Sequence, residues 1–154
     1  MNKIIEKLKK EGKIASQKVG IIQIEGLLRE AIFDLKEAKK IFHIADRATY
    51  LLAYMAMLKA GRALMFLEGY RPTDGAQHKT VVEMTSMILG DKYKNLVGHF
   101  ETMRRKRNKM TYEAGALLSK SEAQAAFADA ISLTQQILQE TKVKNPQMEL
   151  PFDV

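Results

Sequence analysis

Apolar residues recur at intervals of three and four along most of the chain, and no stretch alternates in the two-residue rhythm of a strand. The clearest run is Ile24, Leu27, Leu28, Ala31, Leu35, Ala38 and Phe42, with Glu25, Arg29, Asp34 and Lys36 between them. It predicts an amphipathic helix over residues 21–42. A second helix is expected from Asp46, as its cap, to about Glu68, with Gly69 and Pro72 stopping it. Leu51, Tyr54, Met55, Leu58, Leu64 and Met65 make it apolar on more than one face, while Ala56, Ala60, Gly61 and Ala63 permit close neighbours, so it reads as the central helix.

A turn through Arg71-Pro72-Thr73-Asp74-Gly75 leads to a helix near 77–89, closed by Gly90, and Asp91 offers a cap for the next. A last helix is expected from Ser121, in a capping box with Gln124, to about Thr141. A short basic helix over 3–12 comes first, followed by a stretch loosened by Gly12, Ser16 and Gly20. The pattern predicts an all-α, antiparallel four- to five-helix up-and-down bundle. An N-terminal basic segment (1–20) precedes the bundle (21–141), and a flexible tail (142–154) follows it.

Composition narrows the function classes. With no cysteine in 154 residues, disulfides, thiolate metal sites and cysteine nucleophiles are excluded. The apolar run Leu51–Leu58 is soon interrupted by Lys59 and Arg62, so no membrane span is expected, and the charged N-terminus lacks a signal-peptide core. A cytoplasmic protein is the expectation. No phosphate-cradling glycine loop and no spaced ligand cluster stands in the chain, so no metal and no cofactor is expected. The net charge of +7 favours polyanionic partners.

The candidate chemistry lies in the helix after Asp91. Its apolar stripe reads Leu96, Phe100, Met103, Arg107, Met110, so an arginine occupies a core position. Such a guanidinium needs a carboxylate, a phosphate or a dimer groove, or a kink that turns it to solvent. Arg104, Arg105, Lys106, Arg107 and Lys109 crowd five cations into six residues, either as a solvated face or as a phosphate-neutralising one.

The hexapeptide Arg107-Asn108-Lys109-Met110-Thr111-Tyr112 resembles the R-N-x-x-x-H signature of HEPN domains, with tyrosine in place of the usual histidine. The segments Tyr54–Leu64, Glu68–Pro72 and Gln77-His78 are similar to the second helix and following turn of that superfamily. The resemblance implies a helical, dimeric protein that meets RNA, DNA or a nucleotide, with Arg107 on phosphate and Asn108 orienting it. It also implies, as alternatives, a metal-independent ribonuclease or toxin using Arg107 and Tyr112, or a protein paired with a nucleotidyltransferase. Tyr112 is a poor general base at neutral pH, since an unperturbed phenol titrates near pH ~10. An ideal helix also sets Arg107 and Tyr112 about 140° apart. Among the histidines, His43 and His99 read as surface or packing residues and His78 as a turn contact, the one histidine to test as a replacement base. Tyr50 and Tyr54 read as core.

At the C-terminus, Gln147-Met148-Glu149-Leu150-Pro151-Phe152 resembles the Q-x-x-L-x-F peptide with which bacterial proteins bind the replication sliding clamp. Gln147, Leu150 and Phe152 would be its anchors. A tail packed on its own helices is the competing expectation.

Overall fold

The computed structural model describes residues 2–73 and 77–154. Among them the order is α1 (Asn2–Lys10), β1 (Ile14–Ser16), α2 (Ile21–Ile41), α3 (Asp46–Leu67), β2 (Tyr70–Pro72), α4 (Gln77–Leu89), a 3-10 turn (Asp91–Tyr93), α5 (Lys94–Tyr112) and α6 (Lys120–Lys144). The protein is therefore mostly helical, as the periodicity predicts. The turn expected through Asp74-Gly75 lies outside the described residues.

α3 is the central element and packs against α2, α4, α5 and α6. Its small residues allow this: Ala53, Ala56, Ala60 and Ala63 are fully buried, beside the bulk of Tyr54, Met57 and Met65. At Gly61 the approach is closest, because a β-carbon there would stand 2.7 Å from Val81 Cγ1 and 2.8 Å from Thr85 Oγ1 of α4. By length and composition α3 could cross a membrane, but most of its apolar stretch is covered by the other helices, as in a core helix.

α2 buries Ile24, Leu28, Ala31, Leu35 and Ala38, the stripe the sequence predicts. Asp34, read there as a charge between apolar positions, is instead 8% exposed. Its carboxylate accepts from Lys59 Nζ of α3 at 2.8 Å, so the cation interrupting the central helix is neutralised across the α2–α3 interface.

Helix ends depart from expectation by a few residues. Asp46 is the first residue of α3 and not its cap, a position where its charge meets the helix N-terminus favourably. Asp91 belongs to the 3-10 turn, which delays α5 to Lys94. The capping box is Ser119 with Glu122, not Ser121 with Gln124: Glu122 N donates to Ser119 Oγ at 3.0 Å and Ser119 N to Glu122 Oε1 at 3.1 Å. A carboxylate is the stronger acceptor for the cap amide, so the box two residues upstream prevails.

The small sheet corrects the expectation of no strands. β1 and β2 pair antiparallel, with Ile14 opposite Pro72 and Ser16 opposite Tyr70. Three-residue strands are too short to display alternation. The ladder extends through Thr73 N donating to Lys13 O (2.9 Å), Thr73 Oγ1 to Gly12 O (2.7 Å) and Gln17 N to Gly69 O (2.8 Å). Gly12, at φ +72°, turns the chain from α1 into β1. Ile5, Leu8 and Ile14 are buried in the same core as the long helices.

Candidate phosphate-binding site

The site is built where α3, α4 and α5 meet. The chain leaves α3 at Leu67, and the connection through β2 brings it back to the middle of that helix, where His78 meets Tyr54. Tyr54 is fully buried and lies against both the His78 and Phe100 rings, with centroids 5.8 and 5.9 Å away. Phe100, Arg104 and Arg107 share one face of α5 through steps of four and three, so anchoring Phe100 in the core aims both arginines at this junction.

Tyr54 Oη and His78 Nδ1 are 2.9 Å apart. Burial pushes the Tyr54 phenol up to about 12, against the opposing pull of Arg107 and Arg104, so the hydroxyl keeps its proton. His78 is held below its ordinary value first by desolvation and then by the charges of Arg107, Arg62 and Arg104. A buried hydroxyl must direct its proton to an acceptor, and among the described residues its partner is the neutral imidazole. Tyr54 therefore donates to Nδ1, which puts the imidazole proton on Nε2.

The cations divide into satisfied and unsatisfied. Arg104 donates to both Glu101 oxygens (Nε–Oε1 2.6 Å, Nη2–Oε2 3.1 Å), which holds the Glu101 carboxyl below its usual range. Arg105 is mostly exposed and shares that carboxylate at 3.2 Å. Lys106 donates to the Leu117 carbonyl and lies 3.3 Å from Glu122, serving the α5–α6 loop. Lys109 is exposed. Arg107 is half-buried, and the one hydrogen bond of its guanidinium among the described residues is a long 3.4 Å contact from Nη1 to the neighbouring Asn108 Oδ1. Arg62 of α3 is also half-buried, and its Nε is buried without a partner. Among the described residues no carboxylate lies within ion-pair distance of Arg62 or Arg107.

Two uncompensated guanidinium charges thus act on one neutral histidine. Guanidinium groups without an ion-pair partner among the described residues suit an anion with several acceptor oxygens. A cavity of about 720 Å³ between α1, α4 and α5 adjoins it at Lys79 and Glu101 and is lined by both signs of charge, including Lys94 and Glu83. Among the described residues no group of three or more His, Asp or Glu side chains could hold a metal.

Of the residues singled out from sequence, Arg104, Arg107 and Asn108 belong to this junction, whereas Arg105, Lys106 and Lys109 do not. Tyr112 is 78% exposed at the end of α5. His78, read from sequence as a turn contact, is paired instead with Tyr54 of α3, and the charge of Arg107 acts on it. Arg62 was missed as a site residue. Like Arg107 it is a cation among apolar helix positions, but Lys59 one turn earlier shows the same pattern and is answered by Asp34, so sequence alone does not tell them apart.

In the tail, Met148 and Leu150 are buried and Phe152 and Val154 half-buried, alternating with exposed Gln147, Glu149, Pro151 and Asp153. Asp153 pairs with Lys36 Nζ of α2 at 2.6 Å. This is the self-packing alternative, and it corrects the expectation of a flexible tail: two apolar side chains gain more by joining the core than an extended peptide gains in water. The clamp-like anchor Leu150 is thereby already occupied.

The neutrality of His78 has a pH signature. Its folded value is lowered from about 6.5, so its contribution to stability is complete above that unfolded value and is lost as pH falls through the depressed one. Chemical denaturation at pH 7 and pH 5 is expected to show wild type losing more stability than His78→Gln. Equal losses would mean that His78 is not buried as a neutral base.

No protein-family model matches this chain, and no curated protein is similar to it.

Proposed function

We propose that this protein is a binding module of the HEPN type for nucleic acid or nucleotides, its helices forming an antiparallel bundle that pairs as a homodimer in the cytoplasm. One observation carries the reading: Arg62 and Arg107, both half-buried, have no carboxylate within ion-pair distance among the described residues, and the charges of both act on His78. Phosphate is the biological anion whose oxygens meet planar guanidinium forks in pairs, and the net charge of +7 draws polyanions toward the surface.

Binding is favoured over cleavage by the same geometry. A transphosphorylation through the RNA 2′-hydroxyl needs a general base, and Tyr112 is largely exposed at the end of α5 while the Nδ1 of His78 is taken by the Tyr54 hydroxyl. Fluorescence anisotropy with single-stranded RNA in EDTA, at two salt concentrations, tests this. Wild type is expected to bind in a salt-sensitive way without cutting, Arg107→Ala to bind roughly 10- to 100-fold more weakly, and Tyr112→Phe to bind as wild type does. Metal-independent cleavage abolished by both substitutions would instead make the protein a ribonuclease.

A further inference from the structure

A smaller cavity, of about 270 Å³, lies between α3, α5 and α6 and gathers polar groups that the Arg107 junction does not use. Tyr50 of α3 lines it. This tyrosine is 2% exposed, and its hydroxyl has no hydrogen-bond partner among the described residues. Burial and the Glu122 charge push the phenol up to about 12, so the oxygen keeps a proton that nothing in the described chain receives. On the α5 wall stands His99, whose Nδ1 donates to Asp129 Oδ2 of α6 at 2.6 Å. That carboxylate fixes the ring, and Nε2 is the nitrogen left without a described partner.

The other walls decide what fits. Ser121 of α6 adds a hydroxyl with no described partner, and Thr102 of α5, which donates to the Gly98 carbonyl at 3.2 Å, keeps its oxygen free to accept. Glu122 brings a carboxylate already held by Lys106 and the Ser119 amide, so a phosphate placed here would meet a negative charge. The volume lies below the roughly 300–1,000 Å³ of sites for drug-sized ligands, which leaves room for one ring system. A small neutral ring with both donors and acceptors on its edge answers Tyr50 and His99 together. Beyond the cavity the same face of α5 continues in cations, because Arg105 and Lys109 follow Thr102 at steps of three and four and both are exposed. Arg105 shares Glu101 with Arg104, and Lys109 has no ion pair among the described residues. A cavity for a ring beside a basic track is the arrangement with which proteins hold single strands, bases inside and phosphates out.

We infer that the cavity lined by Tyr50, His99, Thr102 and Ser121 holds one unpaired nucleobase of a single strand whose phosphates run along Arg105 and Lys109. The inference rests on the proposed nucleic-acid function and adds a base-binding subsite to it. It also gives a role to cations of α5 that the Arg107 junction leaves aside.

The test measures binding of a short single-stranded RNA, dye-labelled at one end, and of the same backbone bearing stable abasic spacers. Wild type is compared with Tyr50→Phe, which removes one oxygen and keeps the ring, with Arg105→Gln and with Arg107→Ala, each checked for helical content by circular dichroism. Wild type is expected to prefer the base-bearing strand about tenfold. Tyr50→Phe should lose most of that preference by weakening the base-bearing strand alone, whereas Arg105→Gln should weaken both strands alike. Displacement of the strand by free nucleosides would assign the cavity to monomers as well; a preference for bases without such displacement would assign it to strands. Equal binding of the two strands by wild type, or a preference that Tyr50→Phe leaves intact, would overturn the inference, and binding that still falls in Arg107→Ala would leave the proposed function standing. Absence of any strand binding would overturn both.

Discussion

Gly61→Val is expected to lower stability by about 3 kcal/mol, and Gly61→Ala by a net 1–2 kcal/mol, in urea denaturation followed by circular dichroism. A β-carbon at this position meets Val81 Cγ1 at 2.7 Å and Thr85 Oγ1 at 2.8 Å. Thr85 has little freedom to give way, because it is fully buried and its hydroxyl donates to the Val81 carbonyl at 2.7 Å. Alanine recovers up to about 1 kcal/mol through its better helix propensity, which offsets part of the crowding, whereas valine recovers less. Gly26 of α2 is the matched control: nothing lies within 4 Å of a β-carbon there, so Gly26→Ala should raise stability by about 0.5–1 kcal/mol. If both alanine variants were stabilised alike, α3 and α4 would not be in the close contact described.

The second large effect belongs to the tail. Leu150→Ala is expected to cost about 2–3 kcal/mol, near the low end for a buried leucine because a chain terminus can settle into the space left behind. Val143→Ala, at a position 78% exposed on α6, should change stability by less than about 0.5 kcal/mol. Native-state hydrogen exchange gives an independent reading, since the Met148 amide donates to Asn145 O at 3.0 Å and should be protected in wild type and released in Leu150→Ala. Equal stability of wild type and Leu150→Ala would mean the tail does not dock. Any partner that reads Leu150 and Phe152 must first lift them from the chain's own core, so the same substitution should change its apparent affinity in two opposing ways.

Regular helical segments were legible because long amphipathic patterns depend on local spacing, as the buried face of α2 shows from Ile24 to Ala38. The small sheet was not legible, because Ile14–Ser16 finds its partner only after α2 and α3 have brought the chain back to Tyr70–Pro72. The site divides in the same way. Arg107 announced itself by breaking an apolar stripe on one helix, and Asp34 was misread because its partner, Lys59, lies on another. His78 is paired through a tertiary contact with Tyr54, and spacing along the chain carries no information about such a contact. Tyr112 ends α5 largely exposed, whereas the imidazole on which the Arg107 charge acts belongs to α4.

The ladder between β1 and β2 reaches further than its few hydrogen bonds suggest. It fastens residues 2–16 to the strand that follows α3, and Gly12 and Lys13 grip Thr73 just beyond it. The opening of the sequence, which contributes no group to the candidate site, braces the strand that leads toward it. A shortened protein starting at Gln17 would retain every charged residue of the candidate site and lose the clasp on Tyr70–Thr73.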